Sequence, residues 1–193
     1  AASGERGRMT DGIAAATDTP LWVPSKASLA AHPMTLFREE AERRSGIPLA
    51  DYDALHRWSV EDRAAFWDLV WDFCGVVGDK GDIRLLDGDR MPGARFFPEA
   101  SLNFAENLLR KRGSGDALVF WGEDRVKRRM SWDELAALVS RLQQAMLAAG
   151  VTSGDRVAAM MPNLPETIAA MLAAASIGAV WSSCSPDFGP RGV

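Results

Sequence analysis

From about residue 96 onward, apolar runs of strand length alternate with apolar stripes of helical period. That alternation leaves few folds open. Ser101 is placed to cap a helix running through Leu108 and Leu109. Residues 117–121 read as a strand, Gly122-Glu123-Asp124 as a turn, and residues 125–130 as a second strand. Ser131-Trp132-Asp133-Glu134 has the spacing of a capping box, and behind it Leu135, Leu138, Val139, Leu142 and Met146 share one helical face up to Gly150. Residues 156–161 form a short apolar strand stopped by Pro162. Pro165 suits the first turn of a further helix carrying Ile168, Met171, Leu172 and Ala175, and that helix stops near Gly178. Residues 179–182 then read as a buried strand. Strand, helix, strand, helix, strand in this order predicts an α/β layer with parallel pairing and right-handed crossovers. Ala169, Ala170, Ala173, Ala174 and Ala175 let the last helix lie close to that layer.

The preceding sequence is of another kind. Residues 9–33 carry Pro20, Pro24 and Pro33 with little periodicity, and read as an extended arm. Residues 1–8 precede Met9 and look like an upstream extension. Leu36, Phe37, Glu40 and Ala41 begin a helix that Ser45-Gly46 ends. Ser59 followed by Asp62 reads as the start of another, over 59–74. There Phe66, Trp67, Val70, Trp71 and Cys74 form an apolar stripe that fits core packing. Residues 79–95, rich in Gly and Asp, read as a linker or an irregular crossing. The expected organisation is a flexible or extended arm (1–33), a helical segment (34–95), and the beginning of an α/β domain (96–193).

Composition narrows the function. With 47% apolar and 25% charged residues and a net charge of −4, the chain reads as an ordinary globular protein with no footprint for nucleic acid. The densest basic run, Arg125, Lys127, Arg128 and Arg129, fits a solvated strand edge. Cys74 and Cys184 lack metal-type spacing and read as reduced thiols. The longest apolar stretch, 168–181, is too short to span a bilayer and is broken by Ser176 and Gly178, so no membrane role and a cytoplasmic setting are expected. The phosphate-binding Gly-Lys-Ser/Thr loop, the Gly-x-Gly-x-x-Gly fingerprint and the Gly-x-Ser-x-Gly elbow are all missing. His32 and His56 have no partner at catalytic or metal spacing. Glu123 and Asp124 fit a solvated turn, and Gly113-Ser114-Gly115 a plain loop. Trp181 to Gly189 is different. It follows a predicted parallel strand, and open α/β sheets bind ligands at the carboxyl ends of such strands; a structural turn is the alternative.

Gly154-Asp155-Arg156-Val157-Ala158, then Pro162-Asn163-Leu164-Pro165-Glu166-Thr167, then Gly178-Ala179-Val180-Trp181-Ser182 resemble the N-terminal domain of acyl-CoA synthetases, in the acyl-adenylate-forming superfamily. Pro20 to Ser25, Leu55 to Val60, Ser101 to Leu109 and Trp181 to Gly189 are similar to the acetoacetate–CoA ligase subgroup. The likeness covers residues 19–193. It implies that 34–95 is the extra N-terminal segment of acetyl-CoA and acetoacetyl-CoA synthetases, and that the large adenylate-forming domain, with its mostly parallel sheet, begins near 96. It implies a ligase that uses ATP, Mg2+ and CoA, with acetoacetate as the acid. The family's phosphate loop, metal-binding Glu, ribose-binding Asp and catalytic Lys are expected beyond Val193, so the fragment alone is expected to be truncated, inactive and without tightly bound cofactors. Of the family's site positions only the CoA region reaches this chain. The Gly-Gly pair that lies near the CoA nucleotide in acetyl-CoA synthetases aligns with Pro186 and Asp187.

Two other readings stand beside this one. A free-standing non-catalytic binding module built on the same half-fold would be expected to shield the sheet edge at its C-terminal end. A dehydrogenase half would need the missing Gly-rich fingerprint.

Overall fold

The computed structural model describes residues 20–123, 125–189 and 192. Residues 1–19 of the expected arm and Asp124 of the expected turn lie outside them. The chain divides into two compact units between Leu55 and His56.

In the first unit the stretch expected to be extended contains a helix. Ser25 accepts from the Ser28 amide at 3.1 Å and starts α1 (Lys26–Ala30). Helix α2 (Pro33–Ser45) begins earlier than Leu36, because Pro33 takes the first helical position and His32 Nδ1 accepts from the Met34 amide at 3.2 Å. Gly46, at φ 70°, ends it as predicted. Arg38 donates to the Leu49 carbonyl and Glu42 accepts from the Leu49 amide, each at 2.6 Å. These two bonds fold the following segment back and leave Leu49 1% exposed.

Helix α3 (Tyr52–Glu61) runs across the boundary between the units, and α4 (Arg63–Phe73) follows it directly. Ser59 therefore caps nothing. It lies inside α3, where its hydroxyl donates to the His56 carbonyl at 2.7 Å, a bond open to any helical serine. Asp62 is the cap, accepting from the Ala65 amide. The predicted stripe is also displaced. Leu69 is the buried residue of α4, whereas Trp67 is 41% exposed and Cys74 is exposed. The aromatic side chains are only partly covered: Trp58 packs edge-on against Phe66, and Trp67 and Trp71 lie 5.7 and 5.0 Å from the rings of Phe96 and Phe97.

The Gly/Asp-rich stretch is held firmly rather than left as a linker. It contains an antiparallel pair, β1 (Leu85–Leu86) with β2 (Arg95–Phe96). Lys80 donates to Asp68 at 2.8 Å and Asp72 at 2.7 Å, Arg84 also donates to Asp68, and Glu99 accepts from the amides of Asp82 and Ile83. Partial burial works to raise the Asp68 carboxyl, but the hydrogen bonds from Lys80 and Arg84 outweigh it and hold the carboxyl below the ordinary value of 3.8. A carboxylate depressed in the folded state stabilises fully above its unfolded value and loses that contribution as pH falls through the folded one. Asp68→Asn is therefore expected to cost about 1–3 kcal/mol near neutrality, with the deficit shrinking below about pH 4. Urea unfolding at several pH values checks this, and a deficit independent of pH would contradict it.

The α/β part follows. Asn103, not Ser101, caps α5 (Phe104–Leu108); Ser101 pairs instead with Asp79 in an isolated bridge. Strands β3 (Asp116–Gly122) and β4 (Val126–Ser131) form an antiparallel hairpin. The predicted capping box starts α6 (Trp132–Ala148), with Ser131 and Glu134 bonding reciprocally. Strand β5 (Arg156–Met160), α7 (Pro165–Ile177) and β6 (Val180–Cys184) make a strand–helix–strand unit with β5 and β6 parallel. The core joins three helices: Ala105 of α5, Leu135 and Val139 of α6, and Ala169, Leu172 and Ala173 of α7. The α/β class holds. Parallel pairing among the described residues is confined to β5–β6, and β6 is not the buried strand expected: Ala179 just before it is buried, while Val180 is 56% exposed. Among the described residues β6 has β5 as its only strand neighbour.

Candidate functional site

The sequence motifs are largely the joints of this unit. Asp155 accepts from the Thr152 amide at 2.7 Å and hydroxyl at 2.9 Å, closing the turn into β5. Those two bonds hold its carboxyl below the ordinary range. The Gly154 amide donates to the Gly178 carbonyl, and the Val180 amide to the Asp155 carbonyl, so the Gly-Asp and Gly-Ala motifs clamp the starts of the two parallel strands together. Gly178 ends α7 at φ 81°, and a Cβ there would come within 2.7 Å of Ser153 Oγ. Gly178→Ala is expected to cost about 1–2 kcal/mol, read as a shift in denaturant midpoint without a change in slope. A neutral substitution would contradict the left-handed cap.

Asn103 and Asn107 are one helical turn apart, and each side chain bonds in two directions. Asn103 Oδ1 accepts from the Glu106 amide, while Nδ2 donates to the carbonyls of Ala175 and Ser176 at the end of α7. Asn107 accepts from the Val77 amide and donates to the Val77 carbonyl. Both Asn residues lay in a segment singled out by resemblance; the cap bond to Glu106 is local, but the bonds to Val77, Ala175 and Ser176 join positions 30 to 73 residues apart and left no local signal.

The carboxyl ends of β5 and β6 lie side by side, with Met160 opposite Cys184. Above them a cleft of about 310 Å³ is lined by Asn163, Thr167, Trp181, Ser183, Cys184 and Ser185, with Met161, Pro162, Ile168 and Met171 completing its wall. The Thr167 hydroxyl donates to the Pro162 carbonyl at 2.7 Å and fixes the turn into α7. Glu166 in that turn pairs at 2.7 Å with Arg128, which reaches across from the hairpin. The guanidinium beside it holds the Glu166 carboxyl below the ordinary range. Next to Ser185 the chain makes a single 3-10 turn, Pro186–Phe188, in which the Ser185 hydroxyl donates to Asp187 Oδ2 at 2.9 Å. Pro186 and Asp187 are both exposed there.

Chemically this cleft is an apolar, sulfur-bearing wall with a rim of hydroxyl and amide groups. Among the described residues no lysine or arginine lines it. It can receive an uncharged chain bearing amides; it cannot neutralise a triphosphate. Among the described residues no cluster of three or more His, Cys, Asp or Glu side chains forms that could hold a metal ion. Of the other sequence candidates, His32 serves as a helix cap. Gly113 and Gly115 tie the loop before β3 to the start of α6, as a plain loop would. Of the basic run, Arg125 lies in the turn before β4 and the other three on β4, where Arg129 pairs with Asp116 and Lys127 sits over the Trp121 ring. Both cysteines are free thiols. No helix among the described residues is long and apolar enough to cross a membrane.

Fold and motifs together resemble those of the AMP-binding enzymes. Residues 105–193 match the family model for AMP-binding enzyme, and residues 52–108 match that for the acetyl-coenzyme A synthetase N-terminus. More narrowly, the chain is similar to acetoacetyl-CoA synthetases. It is 64% identical over 176 residues to acetoacetyl-coenzyme A synthetase of Rhizobium meliloti (strain 1021), covering 91% of this chain and 27% of that protein. It is 39% identical to acetoacetyl-CoA synthetase of Xenopus tropicalis, covering 90% of this chain and 26% of that one. Its fold matches the solved structure of acetoacetyl-CoA synthetase from Streptomyces lividans with a TM-score of 0.79 at 39% identity, over 90% of this chain and 27% of that one. The resemblance read from the sequence thus holds over nine-tenths of the chain, and the chain spans about a quarter of the length of these relatives.

Proposed function

We propose that this chain is the N-terminal portion of an ATP-dependent acid–thiol ligase that activates acetoacetate as an acyl-adenylate and transfers the acyl group to CoA. The observation that carries it is the 64% identity to the Rhizobium meliloti acetoacetyl-coenzyme A synthetase over 91% of the chain, supported by the fold match. In this reading residues 34–95 are the helical segment of the acetyl-CoA synthetase type, and 96–193 the beginning of the adenylate-forming domain. The setting is the cytoplasm, and the partners are small molecules rather than nucleic acid or membrane.

Bound ATP and Mg2+ supply a leaving group and charge neutralisation for attack by the carboxylate. The described residues do not fit that pair, since the cleft has no cation and no metal cluster forms. We therefore place the ATP and Mg2+ ligands in the three-quarters of the relatives' length outside the match. The share of the site given to this chain is the neighbourhood of CoA, at Pro186 and Asp187 beside the cleft. A carboxylate opposes an anionic nucleotide, so contact there runs through the Pro186 ring and the backbone. Asp187 is held in its own turn by Ser185.

The test is a hybrid enzyme in which this chain replaces the aligned N-terminal segment of the Rhizobium meliloti relative. It is expected to form acetoacetyl-CoA. In the hybrid, Asp187→Asn should lower KM for CoA about two- to fivefold at low salt and leave KM for ATP unchanged. A KM for CoA that does not move would remove Asp187 from the CoA neighbourhood.

A further inference from the structure

We infer that Arg128 is a positioning residue for the CoA-facing end of the sheet, acting through Glu166. This rests on the proposed function for the identity of the ligand, but its geometry stands alone. Helix α7 has no side-chain cap: Leu164 occupies the cap position and Pro165 the first helical position. The turn from Pro162 to Thr167 is therefore held by two side-chain bonds. One is internal, from the Thr167 hydroxyl to the Pro162 carbonyl. The other is the Arg128–Glu166 pair at 2.7 Å, which joins residues 38 apart and ties the β3–β4 hairpin to the first turn of α7. Asn163 and Thr167, on either side of Glu166, line the cleft at the carboxyl ends of β5 and β6. A change in the pair shifts the turn that carries Asn163 and Thr167 at the rim of the cleft.

Magnitude separates this role from a structural one. Both side chains are 42% exposed. Exposed pairs contribute little to stability, so Arg128 is poorly explained as a stabilising residue. Its neighbour Arg129 pairs with Asp116 inside the hairpin and supplies a control of equal charge on the same strand, though more exposed at 67%.

In the hybrid enzyme, Arg128→Ala is expected to raise KM for CoA about fivefold, with kcat and KM for ATP unchanged, while Arg129→Ala does neither. Arg128→Lys should recover most of the loss, and the exchanged pair Arg128→Glu with Glu166→Arg should recover it where Arg128→Glu alone does not. In the 193-residue chain, amide exchange at Thr167 and Ile168 should quicken several-fold in Arg128→Ala and not in Arg129→Ala. An unchanged KM for CoA in Arg128→Ala, an equal rise in Arg129→Ala, or an exchanged pair that fails to recover would overturn the inference. A hybrid with no activity counts against the proposed function instead, and the amide-exchange comparison then decides the positioning role by itself.

Discussion

Leu172→Ala is expected to destabilise the second unit by about 2–5 kcal/mol. Leu172 is 2% exposed and sits among Ala105, Leu135, Val139, Ala169 and Ala173 where α5, α6 and α7 meet. Its buried neighbours on the same helix, Ala169 and Ala173, have no side chain that could swing into the space, so the site has little freedom to collapse around a missing isobutyl group. The cost therefore includes a cavity as well as lost transfer energy. Denaturant unfolding of the chain reads it directly, and a loss below about 1 kcal/mol would mean that α7 does not pack as described. The substitution also separates two pictures of α7. If the helix were waiting on a missing cover, Leu172 would be half in water and its truncation cheap. The structure gives that partial exposure to Met171 and Val180 instead.

Leu69→Ala is expected to have an effect of the same size, about 2–5 kcal/mol. Leu69, 1% exposed, is the one buried residue of α4. It follows Asp68, which carries the ion pairs that pin the 79–84 segment. Loss of Leu69 should loosen that segment too, so protection of the amides of Asp82 and Ile83 is expected to fall along with global stability. Trp67→Ala removes more atoms but should cost less, because its ring is 41% exposed. The reverse order, with Trp67 dominant, would restore the stripe read from the sequence.

That stripe shows where sequence reasoning reached its limit. Helical period alone cannot tell which side of a broad apolar face is covered. On α4 Leu69 is buried and Phe66 and Val70 are half-buried, while Trp67 and Cys74 are exposed, and the rings that Trp67 and Trp71 do meet belong to Phe96 and Phe97, far along the chain. Local signals survived intact where the physics is local. The capping box at Ser131, the stops at Gly46 and Gly178, and Pro165 opening α7 all held. Cap choice failed where two candidates stood close together: Asp62 beat Ser59, and Asn103 beat Ser101. In each case the winner could bond forward into the helix, while the loser was already committed, to an i−3 carbonyl or to a bridge. For the candidate site, the strand order pointed to the loop after β6, and a cleft lies beside that loop. The Pro162–Thr167 turn was marked by its two prolines, but the arginine that holds it makes a contact 38 residues away and had no local sign.

In the proposed function this chain supplies the N-terminal quarter of an acetoacetate-activating ligase. The most direct test is ATP–pyrophosphate exchange by the hybrid enzyme, with acetoacetate as the acid. The same Rhizobium meliloti protein lacking the aligned segment, and the 193-residue chain alone, serve as baselines. Exchange within about tenfold of the parent enzyme, dependent on acetoacetate, is the predicted result. Neither baseline should rise above the buffer rate. A well-folded hybrid that shows no acetoacetate-dependent exchange, or exchange by the 193-residue chain on its own, would contradict it.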